Sequence, residues 1–294
     1  MNRIVTFIIA AAMTLGSYAA RAAGDAKAAE LLAQARAAIG GEKQIATVKG
    51  LACAGTVQRS IGDRQVSGEL TIDLQMPDKI VRADSISPMG DSALVVTEQG
   101  LNGDILIRSS RVINGPPDMV IRMPPPPAPG SDAEAQAIRN TRAEFARFVV
   151  AMLLTPPSVL PVQFSYAGEA ESPDGKADVL DMQGEASFAG KLFLDKTSHR
   201  PLMIAYRGAV PRMVMQTQRG PAPPPGSPSH AEPAAPPPPD IVDINLFFDD
   251  YKPVDGIQLP HHISRAVGGQ TNEEWTFRSI KVNPAFKPET FRAR

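Results

Sequence analysis

Most of the chain alternates between apolar and polar residues with a period of two, which is typical of β-strands with one buried and one solvent-facing side. In residues 66–76, for example, Val66, Leu70, Ile72, Leu74 and Met76 fall on one side, and Ser67, Glu69, Thr71, Asp73 and Gln75 fall on the other. The same alternation recurs in residues 160–166, 192–194, 202–206, 244–248, 257–263 and 275–277. Turn signals such as Val254-Asp255-Gly256 separate these runs. The pattern predicts about eleven or twelve strands joined as antiparallel hairpins.

Two segments have the period of an α-helix instead. The first, residues 25–39, carries an apolar stripe of Ala28, Leu31, Leu32, Ala35 and Ile39 and ends at Gly40-Gly41. The second begins at Ser131, which forms a capping-box pattern with Glu134, and stops before Pro156-Pro157. Residues 148–154, its last two turns, are apolar all round. We therefore expect this helix end to be enclosed on several sides.

A long sheet with one apolar side must cover that side, and only two substantial helices are available to do so. The pattern thus predicts a mainly β (α+β) fold, in which a strongly curled antiparallel half-barrel sheet wraps over the second helix. We expect one domain from residue 23 to residue 294. Two proline-rich inserts, residues 115–130 and 211–239, interrupt it. Polyproline cannot join a sheet ladder, so each insert is expected to be a solvated spacer, or else a flap or docking segment for a partner.

Residues 1–22 have the features of a cleaved signal peptide. Arg3 precedes an uncharged apolar run at 4–15, and Ala20-Arg21-Ala22 fits a small-residue cleavage site. The apolar run is too short to span a bilayer. We therefore expect an exported, periplasmic protein without stable membrane insertion.

The composition excludes several functional classes. The 294 residues include 30 Lys and Arg against 31 Asp and Glu, which removes the basic surface that a nucleic-acid binder needs. A single cysteine, Cys53, excludes a disulfide framework and is expected to be a small buried hydrophobe.

No catalytic motif or cofactor-binding motif is present. His261 and His262 are adjacent on a predicted strand and point to opposite faces, so they cannot chelate one metal ion. The acidic pairs Asp249-Asp250 and Glu273-Glu274 straddle strands in the same way and are expected to be solvated. We therefore predict no catalytic residue, no cofactor and no metal site, with a hydrolase of dispersed site as the remaining enzymatic alternative.

What the sequence does offer is an apolar concavity between the curled sheet and the second helix. A gap there would form a pocket for an aliphatic ligand. The predicted lining residues are Phe145, Phe148, Met152, Phe164, Tyr166, Leu192, Leu194, Ile204, Tyr206, Leu246 and Phe248.

The C-terminal motifs resemble those of a known family. Residues 246–260 (LFFDDYKPVDGIQLP) are followed by EWTF at 274–277 and KVNPAF at 281–286. This order is similar to the C-terminal hairpins of bacterial outer-membrane lipoprotein-sorting-like proteins, the LolA/LolB/RseB-type fold. The Ala-rich first helix ending in Gly40-Gly41 is similar too. The resemblance implies an open half-barrel with a helix lid and a hydrophobic cavity, which in the lipoprotein carriers holds acyl chains.

Two functions are therefore expected as alternatives. In the first, the protein binds lipid or lipoprotein acyl chains in the cavity. In the second, it is an interaction or sensor module that recruits an envelope protein through the proline-rich inserts, and the cavity is only a core.

Overall fold

The computed structural model describes residues 24–62, 64–87, 93–114, 127–172, 175–185, 188–210 and 240–292. The predicted signal peptide lies outside these residues, as does the insert at 211–239. Of the insert at 115–130, only residues 127–130 are described. Across the described ranges, no helix has the length and apolar character needed to cross a bilayer.

The described residues form three helices and twelve strands. The helices are α1 (24–39), α2 (Glu42–Ala46) and α3 (Asp132–Leu153). The strands are β1 (Gly50–Ile61), β2 (Arg64–Gln75), β3 (Lys79–Ile86), β4 (Leu94–Asn102), β5 (Ile105–Ile113), β6 (Val162–Ser172), β7 (Gly175–Gly184), β8 (Ala189–Asp195), β9 (Pro201–Val210), β10 (Asp240–Val254), β11 (Ile257–Val267) and β12 (Gln270–Val282).

All twelve strands belong to one antiparallel sheet, which confirms the predicted fold class. The spatial order is β5-β4-β3-β2-β1-β12-β11-β10-β9-β8-β7-β6, so the sheet is open, with β5 and β6 at its edges. Every pairing except that of β1 with β12 joins strands that are consecutive in the chain. The two edge strands are themselves consecutive in the chain, and α3 lies in the connection between them. This helix must therefore pass from one edge of the sheet to the other.

The ends of both long helices are formed by the predicted signals. The Ser131 hydroxyl accepts a hydrogen bond from the Glu134 backbone N–H (3.2 Å), and the Glu134 carboxylate accepts one from the Gly130 N–H (2.6 Å). At the other end of α3, Leu154 has a left-handed φ of 52°. The Arg36 guanidinium of α1 donates to the Leu154 carbonyl oxygen at 3.0 and 3.1 Å. This contact ties the end of α3 to the first helix.

The core lies between the concave face of the sheet and the helices. All five residues of the predicted α1 stripe are buried, and so is every residue of α3 from 145 to 153. The enclosure predicted for the end of α3 is therefore confirmed. Cys53 is also buried, and burial raises the pKa of its thiol, which confirms its assignment as a small apolar residue.

The pairing between β1 and β12 contains an irregularity. The register between these strands shifts between Ala54 and Gly55, and such an irregularity increases local twist and bending. A β-carbon at Gly55 would lie 1.9 Å from the Thr276 carbonyl oxygen and 2.7 Å from the Phe277 Cα. Only glycine therefore permits this close approach of the two backbones.

We expect Gly55→Ala to destabilise the protein by about 2 kcal/mol or more, because the atoms that the new methyl group meets belong to backbone and cannot rotate away. Urea denaturation measures the change. Gly24→Ala is the control, since a β-carbon there meets only the Tyr166 carbonyl oxygen at 3.9 Å. Equal stability of the two variants would contradict the close approach.

Candidate functional site

A cavity of about 920 Å³ lies between the middle of α3 and the concave face of the sheet. The helix contributes residues between Gln136 and Phe148. The sheet contributes residues from β1–β4 on one side and from β9–β12 on the other. The cavity therefore spans the middle of the curl, where the two halves of the sheet face the same helix.

The structure divides the eleven predicted lining residues into two groups. Phe145, Phe148 and Leu246 line the cavity. The others are part of the core or pack against it: Met152, Leu192, Leu194, Ile204, Tyr206 and Phe248 are buried, and Phe164 and Tyr166 are half-buried. That any of the eleven contacts a ligand stays a prediction.

Several charged residues of the cavity wall were not predicted from the sequence. They are six arginines, Arg59, Arg82, Arg139, Arg147, Arg207 and Arg265, and three acids, Asp84, Glu144 and Glu273. The two-residue period of the strands would have placed several of them on the concave face. In β3, Arg82 and Asp84 occupy alternate positions that continue from Ile80 to Ile86, and Glu273 precedes Trp275 by two in β12. These positions all belong to the concave side.

The expectation that Glu273 is solvated was wrong. Glu273 is only 7% exposed, because it lies on the concave face of the sheet together with Trp275. The expectation was right for Asp249 and Asp250, which are both exposed.

Arg59, Arg82, Asp84 and Glu273 form a connected group, here called the neutral tetrad. The Arg82 Nε donates to Asp84 Oδ1 (2.8 Å), and the Arg82 Nη2 donates to Asp84 Oδ2 (3.0 Å) and to Glu273. The Arg59 Nη2 donates to Asp84 Oδ2 (2.7 Å) and Glu273 Oε1 (3.2 Å). Two guanidinium groups thus face two carboxylates, and the group carries no net charge.

Trp275 completes the surroundings of the tetrad. Its indole Nε1 donates to Glu273 Oε1 at 2.6 Å, and the Arg82 guanidinium lies 4.7 Å from the centre of its ring. Burial by itself would raise the pKa of Glu273, but Arg82 and Arg59 outweigh it and lower that pKa to about 2. Glu273 is therefore a carboxylate at neutral pH.

A second polar group lies on the α3 side of the cavity. The Arg147 Nη1 donates to Glu144 Oε1 (2.9 Å), and the Tyr206 hydroxyl donates to Glu144 Oε2 (3.0 Å). The Arg147 guanidinium lies 3.9 Å from the centre of the Tyr206 ring and 4.9 Å from that of Phe188. Burial and the Glu144 carboxylate raise the pKa of Tyr206, so its hydroxyl is a neutral donor.

The two histidines have separate surroundings, as predicted. His261 is buried with its Nδ1 3.0 Å from the Leu259 carbonyl oxygen, whereas the Nδ1 of His262 lies 3.0 Å from Asp249 Oδ1. No group of three or more His, Cys, Asp or Glu side chains suited to a metal ion occurs among the residues that the structure describes.

No protein-family model and no curated protein matches the chain. Solved structures with similar folds include a LolA-superfamily protein from Nitrosomonas europaea, at 10% identity and a TM-score of 0.46, covering 90% of this chain and 97% of the other. A putative outer-membrane lipoprotein-sorting protein domain from Vibrio parahaemolyticus has 12% identity and a TM-score of 0.43, with coverages of 91% and 97%. A DUF1329-family protein from Desulfovibrio piger has 9% identity and a TM-score of 0.45, with coverages of 93% and 97%. The first two bear names from the group that the C-terminal motifs resemble.

We expect Glu273→Gln to destabilise the protein by about 3 kcal/mol at pH 7, because it leaves two half-buried guanidinium groups with one carboxylate and removes a buried charge from their network. The pKa of Glu273 is lowered from its usual 4.5 to about 2. The stabilisation that the ionised Glu273 contributes to the folded protein is therefore complete above pH 4.5 and is lost as the pH falls towards 2. Urea denaturation at pH 7 and pH 3 measures the free energy of unfolding of both proteins. The difference between wild type and variant in this free energy should be less than half as large at pH 3 as at pH 7.

Glu69→Gln provides the matched control, since Glu69 pairs with Arg278 on the exposed surface of the sheet. Its effect should stay within about 0.5 kcal/mol at both pH values. If the free energies of unfolding of wild type and Glu273→Gln differ by the same amount at pH 7 and at pH 3, Glu273 is not an ionised carboxylate bound by arginine.

Proposed function

We propose that the protein binds one amphipathic lipid molecule, in the form of a lipid or lipoprotein acyl chain, in the cavity between α3 and the sheet. We further propose that it does so in the periplasm after removal of residues 1–22. The cavity itself is the observation that supports this function. Its volume of about 920 Å³ lies in the upper part of the range for small-molecule sites.

The apolar part of the cavity wall suits a hydrocarbon chain. Phe145 and Phe148 of α3 face Leu246 and Ile244 of β10 across the cavity, and Trp275 lies beside Phe148 with ring centres 6.4 Å apart. Each methylene that leaves water for such a surface contributes about 0.8 kcal/mol. A twelve-carbon chain would therefore gain on the order of 9 kcal/mol before the costs of association are subtracted.

The predicted lining residues that lie in the core have a supporting role in this proposal. Met152 of α3, Leu192 of β8 and Ile204 of β9 are fully buried and belong to one core cluster. In this proposal their packing holds the C-terminal end of α3 against the sheet, so the space remains beside the middle of the helix. The alternative function, an interaction module, depends on the inserts at 115–130 and 211–239, and no contact among the described residues favours it.

We expect Ala143→Trp to weaken the binding of a fluorescent fatty-acyl probe by at least tenfold. Ala143 is a half-buried residue of α3 that lines the cavity, so an indole at this position occupies the space that a chain would take. Probe fluorescence in a titration measures the affinity, and native mass spectrometry of the purified protein shows whether co-purifying lipid is lost.

Ala133→Trp is the matched control, because Ala133 is exposed on the same helix and does not line the cavity. It should bind the probe as the wild type does. If the wild type binds no probe, or if a folded Ala143→Trp protein binds it with unchanged affinity, the proposed function is wrong.

A further inference from the structure

The charges of the cavity wall are distributed unevenly. Four of the lining charges belong to the neutral tetrad and balance one another. The other lining charges are those of Arg139, Arg147, Arg207 and Arg265 and one carboxylate, that of Glu144. These four arginines are here called the basic wall. The wall carries an excess of three positive charges over the lining carboxylate, although the whole chain has a formal net charge of −1.

The contacts of the basic wall leave most of this charge uncompensated. Arg139 donates to the neutral Gln136 Oε1 (2.7 Å), and Arg265 donates to the neutral Asn272 Oδ1 (3.4 Å). Arg207 lies 3.7 Å from Asp243, but both side chains are largely exposed, so this ion pair contributes little.

Arg147 is the most enclosed member of the basic wall. Arg147 is 6% exposed, and its Nε is buried without a hydrogen-bond partner among the described residues. Among the described residues, the carboxylate that pairs with it is that of Glu144, which also accepts from the Tyr206 hydroxyl. A buried guanidinium N–H without a partner is costly, so Arg147 brings to the wall a charge that these neighbours compensate only in part.

Arg147 and Arg265 come from different elements of the cavity wall. The Arg147 guanidinium lies 3.9 Å from the centre of the Tyr206 ring, and Arg265 is directly opposite Leu246 in the β10–β11 ladder. Helix α3 and strand β11 thus bring two cationic groups to one end of the cavity, close to the apolar residues Phe145 and Leu246.

Building on the proposed function, we propose that the ligand is an anionic amphiphile whose carboxylate or phosphate head group is bound by Arg147 and Arg265. Arg139 and Arg207 surround this position at the exposed rim, and the chain of the ligand lies along the apolar wall. Guanidinium groups bind both kinds of oxyanion through paired hydrogen bonds. The neutral tetrad contributes no excess charge of either sign, because each of its carboxylates already accepts from both of its guanidinium groups.

Isothermal titration with a series of twelve-carbon amphiphiles below their micelle concentrations tests the head-group preference. We expect dodecanoate and dodecyl phosphate to bind at least tenfold more tightly than monolaurin or dodecyltrimethylammonium. Salt at 0.5 M should weaken the binding of the anions more than that of monolaurin. Equal affinity for all four head groups would overturn the inference and leave the proposed function intact, whereas no binding of any of them would overturn the proposed function itself.

Inorganic phosphate distinguishes a lipid head group from a free anion. It should compete at least a hundredfold more weakly than dodecyl phosphate, because it lacks the chain. Competition at equal concentration would overturn the assignment to an amphiphile.

The variant Arg265→Gln tests the residue assignment. Its loss of affinity should be at least tenfold greater for dodecyl phosphate than for monolaurin. Arg278→Gln is the control, because Arg278 lies on the neighbouring strand β12, outside the cavity, and pairs with Glu69. Equal losses for the two ligands would overturn the assignment. If Arg265→Gln does not fold, Arg139→Gln on the exposed face of α3 replaces it, with an expected preferential loss of about threefold.

Discussion

The structure depends on the need to cover one apolar face of an open sheet with only two long helices. The sheet has two free edges, β5 and β6, and α3 lies in the connection between them. A flat sheet of twelve strands could not be covered by two helices, so burial of the concave face requires the curl. The register shift at Gly55, in the centre of the sheet where β1 meets β12, provides part of that curl.

Along α3 the residues change from exposed to buried, and the cavity lies beside the part of the helix where this change occurs. All residues from 145 to 153 are buried, whereas Gln136, Arg139 and Asn140 in the first half are exposed. The opposite surface of the sheet changes in the same direction, because β3 carries Arg82 and Asp84 on its concave side. Buried charges need their hydrogen-bond partners and cannot be packed against an apolar helix face. The gap between helix and sheet therefore coincides with the charged part of the sheet.

Much of the fold was predictable from the sequence, because local patterns encode it. The stripe of α1, the cap at Ser131 and the two-residue period of β2 all specify elements without reference to the rest of the chain. The location of the cavity was not predictable in the same way. Phe148 and Met152 lie one helical turn apart in the same apolar run, and both are buried in the core cluster, yet Phe148 also lines the cavity and Met152 does not. That difference depends on which strands face each turn, and this is a property of the tertiary arrangement.

The neutral tetrad shows why a residue can be misjudged from its own neighbours in the chain. Glu273 is next to another acid, which suggests a solvated pair. Its partners, however, come from other strands: Arg59 from β1, which pairs directly with β12, and Arg82 from β3, two strands further along the sheet. Once these charges neutralise one another, they act as a rigid polar wall and not as a binding group. Arg265 lies directly opposite Glu273 in the β11–β12 ladder, and with Arg139, Arg147 and Arg207 it brings an excess of positive charge to the cavity wall. The charges of the wall are therefore balanced within the tetrad and unbalanced beside it.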